Sequence, residues 1–424
     1  MGRLEWTVIG LLCLWILPNQ VWGQNDRSYV KFNYERQNNF TFAANLDTRY
    51  AFTKARYSFD LRLIHTNIYN TSLASKRFVQ LYLSSSLKQH YRLTKRLDLA
   101  SWLETDQYLN NRNQKINLYA GVRYRPYSFL TVTPLLGYAW DERTAVLGQS
   151  QAKAQLDQGF TPAIFLESYK EFKDGLSTQT TMFARYKIIQ PRRQHDFSLD
   201  HSWSKKFKEG VNLNTGARLA SHEIDDYQAN SVKRIISDSV LSRLGIEYEI
   251  SPGLSWRSEN NLLLFRRFFK FENQVSEIPE ENNLTFAGLE IFTSQRVSLV
   301  RKKWKAYGNY EFLYSSRQYD LENNVGLNEV TFAGTLLNEK QKDFFKAQHK
   351  VDLLFNASLS KRQSFTFQLT NQYLQYDTPS EMNFGDRDEL SYLANANWMV
   401  RWRRNFFTAF NLSGNYRHYA FLFK

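Results

Sequence analysis

The stretch FNASLSKRQSFTFQLTNQ, residues 355–372, reads as two strands and a turn. Phe355, Ala357 and Leu359 alternate with Asn356 and Ser358. After Ser-Lys-Arg-Gln, Phe365, Phe367 and Leu369 alternate with Thr366, Gln368 and Thr370. A period of two places the apolar side chains on one face of each strand and the polar ones on the other. The short basic segment between them closes a hairpin.

The same pattern recurs along the chain. Tyr57, Phe59, Leu61 and Leu63 share a face, as do Ile116, Leu118, Ala120, Val122 and Tyr124. So do Val211, Leu213, Ala217 and Leu219, then Trp304, Ala306, Tyr310 and Phe312, and Tyr392, Ala394, Ala396, Trp398 and Val400. Segments of roughly 11–16 residues exceed the usual globular strand. Nine short connections fall at 51–54, 94–96, 126–128, 172–175, 206–210, 251–253, 300–303, 360–363 and 403–405. They alternate with stretches expected to be long loops, at 142–157, 223–237, 271–283, 319–345 and 377–388.

Composition agrees with strands. Tyr (25) and Phe (32) are abundant and Pro (8) is scarce. Mean hydropathy is −0.53 although 42% of residues are hydrophobic, because the polar stripe is as long as the apolar one. The formal charge is +14. Residues 6–17, WTVIGLLCLWIL, are too short to cross a bilayer as a helix, and VWGQ follows them. Residues 1–23 are therefore expected to be a cleaved signal peptide and 24–424 a single domain. The one cysteine, Cys13, leaves with the signal, which excludes a disulfide-rich secreted fold.

Strands with one apolar face need an apolar medium on that side. In a soluble sandwich that side turns inward and long loops fall at both ends. Long strands, short turns at one end and long loops at the other predict an all-β fold: a transmembrane antiparallel β-barrel of about 18–20 strands. Closure pairs every backbone group within the bilayer. Tyr50, Tyr57, Tyr91, Tyr124, Trp304 and Trp402 near strand ends suit interfacial girdles. Counting strands gives nineteen where an even number is expected. Either one strand is miscounted or a final C-terminal strand is lacking.

This pattern resembles bacterial outer-membrane β-barrel proteins, a porin-like class, with no narrower family assigned. The resemblance implies Gram-negative outer-membrane localisation, short turns in the periplasm, long loops outside, and lipid and lipopolysaccharide as partners. The strand pattern begins by Tyr29, leaving no room for the plug domain of energised receptors.

Catalytic, cofactor and metal sites are not expected. The seven histidines are scattered, no nucleophile elbow or P-loop occurs, and Asp196, Asp200 and His201 read as solvated polar residues. No basic cluster on a single element points to nucleic acid. The candidate residues lie instead on the polar stripe. Parity turns Arg62, Arg123, Arg125, Arg185, Lys187, Arg218, Arg243, Arg257 and Arg401 to the interior. A cationic lining favours passage of small polar, anionic solutes. The alternative is a non-conducting surface or assembly scaffold, its lumen filled by these cations paired with Asp60, Glu104, Asp106, Glu247 and Glu249.

Overall fold

A computed structural model describes residues 28–36, 41–71, 77–108, 113–147, 151–190, 192–228, 231–273, 283–321, 329–379, 386–403 and 406–421. The expected signal peptide lies outside these residues. Nineteen strands form one sheet. The first ten are β1 (Tyr29–Arg36), β2 (Thr41–Lys54), β3 (Tyr57–Thr71), β4 (Arg77–Arg92), β5 (Leu97–Tyr108), β6 (Asn113–Tyr127), β7 (Leu130–Leu147), β8 (Gln151–Glu171), β9 (Leu176–Gln190) and β10 (Arg192–Lys206). The rest are β11 (Val211–Gln228), β12 (Ser231–Ser251), β13 (Leu254–Asn273), β14 (Leu284–Val300), β15 (Trp304–Leu321), β16 (Phe344–Ser360), β17 (Gln363–Asp377), β18 (Arg387–Arg403) and β19 (Phe406–Phe421). A helix, α1 (Glu329–Lys340), lies between β15 and β16 and packs beside β15.

Each strand pairs antiparallel with its neighbour in the chain. Short connections follow β2 and every second strand thereafter, all at one end of the sheet; the first lies at 55–56, because the expected turn 51–54 is strand, and 404–405 lie outside the described residues. Gly175, Gly210 and Gly253 close three of them at φ of 80°, 78° and 78°, a left-handed backbone that glycine adopts without a Cβ penalty. Ala55 takes φ 50° in the β2–β3 turn.

The opposite end departs from expectation. Residues 142–157 and 223–237 are not long loops: β7 runs to Leu147 and β8 starts at Gln151, while β11 runs to Gln228 and β12 starts at Ser231. The acidic run HEIDD, residues 222–226, has carboxylates matched across the ladder. Arg234 Nε on β12 lies 2.9 Å from Glu223 and 3.3 Å from Asp225. Of the expected loop 271–283, residues 274–282 lie outside the described residues.

The sheet is strongly curled. Strands sit about 4.8 Å apart, so a flat sheet would separate β5 from β9 by roughly 19 Å, more than two side chains can bridge. Yet Arg185 on β9 donates from Nη1 to Glu104 Oε2 on β5 at 2.8 Å and to Tyr119 Oη on β6 at 3.1 Å. The face carrying these groups is therefore concave. Register carries the apolar stripe to the convex face on every strand, including all six expected girdle aromatics, which sit beside the short turns. There Phe52 and Phe59 stack at 5.4 Å, and Trp304 lies 6.0 Å from Phe355. Among the described residues β1 pairs only with β2, and β19 only with β18.

Candidate functional site

The register places all nine expected cations on the concave face. Most are neutralised there. Arg62 binds Asp47 at 2.8 Å, Arg125 binds Asp98 at 2.5 Å, Arg123 binds Glu167 at 3.3 Å and Arg243 binds Asp200 at 3.2 Å. Arg257 pairs with Glu259 on its own strand. Arg185 holds Asp196 as well as Glu104. Arg218, Arg401 and Lys187 have no acidic partner among the described residues. Arg218 and Arg401 are exposed, whereas Lys187 is fully buried.

The acids predicted to fill the lumen are only partly the ones used. Asp60 binds Arg49 at 2.5 Å, and Asp106 accepts from Tyr82 Oη at 2.8 Å. Side-chain chemistry gave the types, but the partners depend on register, which parity alone does not supply. Asp196, grouped in sequence with Asp200 and His201, faces Arg185 and His222 instead. Among the described residues no cluster of His, Cys, Asp or Glu could hold a metal ion.

The interior divides into a packed lobe and an open groove. Between β5 and β9, Ala100, Trp102, Tyr119, Leu135 and Ala163 form a buried apolar cluster, with Phe165 and Phe183 against it. The Trp102 and Phe165 rings meet edge-on at 6.0 Å. Toward the end opposite the short turns an ionic layer covers this cluster. Arg192 is fully buried, donates to Asp157 at 2.5 Å and lies 3.1 Å from Asp141. Sequence reasoning missed the apolar lobe. Its signal is visible in β5, where Leu99 and Leu103 on one face accompany Ala100 and Trp102 on the other. From β10 to β13 the same face is polar. It lines a cavity of about 530 Å³ with Ser202, Arg243, Glu247, Arg257 and Glu259.

No family model matches the chain, and no curated protein does either. Similarity is found to solved bacterial structures. One is OmpT, an outer membrane protein of Vibrio cholerae, in its trimer form: 12% identity, TM-score 0.30, covering 86% of this chain and 100% of that one. Another is OccAB3 of Acinetobacter baumannii, at 9% identity and TM-score 0.35, covering 92% and 97%. A third is an anion-selective porin from Comamonas acidovorans, at 12% identity and TM-score 0.22, covering 83% and 90%. The likeness is to porin-like outer-membrane barrels without a narrower family, and at these scores it adds nothing to the functional argument.

Proposed function

We propose that this chain is an outer-membrane β-barrel that passes small polar, anionic solutes along its concave face. The observation supporting this reading is the division of charge. The convex face is apolar along the strands, while the concave face gathers ion pairs and keeps Arg218 and Arg401 exposed without an acidic partner among the described residues. Uncompensated cations on an exposed polar face raise the local concentration of anions. The paired arginines contribute less, since each is offset by a carboxylate a few ångströms away.

A second reading is a scaffold with a filled lumen. The packed lobe from β5 to β9 favours it, because there the interior is occupied by the protein's own side chains. The two are separated by single-channel recording of the purified barrel in a planar bilayer. The channel reading expects conductance with a reversal potential on the anion side. Arg218→Gln with Arg401→Gln should move that potential toward cation preference. The effect should shrink as salt rises, because the Debye length falls from about 10 Å at 0.1 M to about 3 Å at 1 M. Absence of conductance would establish the scaffold instead. A potential indifferent to both substitutions would remove these side chains from the path.

A further inference from the structure

A second cavity opens on the concave face at the short-turn end, with a volume of about 340 Å³. Its charged groups largely cancel. Asp60 is taken by Arg49 at 2.5 Å, and Arg123 by Glu167 at 3.3 Å. Two donors remain. Lys88 has no acidic partner among the described residues, and its ammonium lies 4.5 Å from the centroid of the Trp102 ring. Trp102 is only 6% exposed, yet its Nε1 has no acceptor. An indole N–H withdrawn from water without a partner is costly, and both residues line the same cavity. The Phe165 ring supplies apolar wall.

We propose that this pocket binds a small monocarboxylate with an apolar body. The carboxylate accepts hydrogen bonds from Lys88 Nζ and Trp102 Nε1, and the body lies against Phe165. One uncompensated cation matches one negative charge. A dianion would bring a second charge without a partner, and a neutral ligand would leave Lys88 unmatched. The pocket volume lies at the small end of ligand sites, which suits a single ring. The proposal relies on the solute-path reading only for how the ligand arrives.

The test is calorimetric titration of the folded barrel in detergent micelles with benzoate, with benzyl alcohol and acetate as controls. Benzoate should bind about ten-fold or more tightly than either control. Lys88→Gln should abolish that advantage over benzyl alcohol. Trp102→Phe, which keeps an aromatic ring but removes the donor, should weaken benzoate by roughly ten-fold. Circular dichroism checks that each variant keeps its strands. If Trp102→Phe does not fold, Lys88→Gln and the benzyl alcohol comparison decide alone. Equal binding of benzoate and benzyl alcohol, benzoate binding unchanged in Lys88→Gln, or no benzoate binding at all would overturn the site. Because binding is read at equilibrium without transport, its failure leaves the conductance result standing, and loss of conductance leaves the binding result standing.

Discussion

Arg185 is held on three sides, by Asp196, Glu104 and Tyr119, with little of its side chain in contact with solvent. Removing one partner of a buried ion pair strands the others. Arg185→Gln should therefore destabilise the folded protein by about 3 kcal/mol or more. Arg243 is 46% exposed beside Asp200. Arg243→Gln should cost no more than about 1 kcal/mol, since a solvated pair is weak. Urea unfolding in lipid vesicles checks both. Ala55 gives the opposite sign. Its φ of 50° is left-handed, a conformation that costs an L-residue roughly 1 kcal/mol. Ala55→Gly should stabilise the β2–β3 hairpin by about that amount in the same assay. Gly137 is constrained by crowding instead: a Cβ there would run into the Tyr119 ring on the neighbouring strand. Gly137→Ala should cost about 1–3 kcal/mol through the displaced ring.

At the scale of strands, the sequence was readable where alternation was clean. Asn356 pairs with Thr366 and Phe355 with Phe367, so the hairpin at 355–372 has the two faces its spelling implies. Most short turns were legible, three of them because their residues carry backbone demands of their own, at Gly175, Gly210 and Gly253, whereas 51–54 proved to be strand. The opposite rim was misread because the carboxylates of 223–226 break the alternation, and Arg234 across the ladder pairs with them so that the strand continues. The packed lobe escaped because a strand apolar on both faces has no period to detect, as in β5. The convex face carries its own test. Leu136 is 62% exposed on β7, and its chain neighbour Leu135 is buried in the lobe. In lipid, Leu136→Arg should cost about 2–4 kcal/mol if it lies near the midplane. An unchanged folding free energy in vesicles would mean that this face does not meet lipid.

For the whole molecule, the odd number of strands among the described residues matters. With every neighbour antiparallel, β1 and β19 run in the same direction. Each has one partner among the described residues. Val30 and Phe32 of β1 and Leu412 of β19 are widely exposed. Strand edges with one ladder open more readily than strands held on both sides. Hydrogen exchange in nanodiscs should show weaker amide protection in β1 and β19 than in β12 and β13. Equal protection would mean that a second ladder forms at those edges.

The consecutive pairing of the strands also has a consequence in time. Each hairpin closes a short loop, and closure entropy rises only with the logarithm of loop length. The sheet can then assemble by zippering, one hairpin templating the next, as expected of local topology. The contacts that curl it reach much farther along the chain: Arg185 and Glu104 are separated by 81 residues. Such contacts form after the strands that present them. Arg185→Gln should then leave the refolding rate nearly intact and place most of its effect on a faster unfolding rate, which stopped-flow fluorescence in lipid vesicles would resolve.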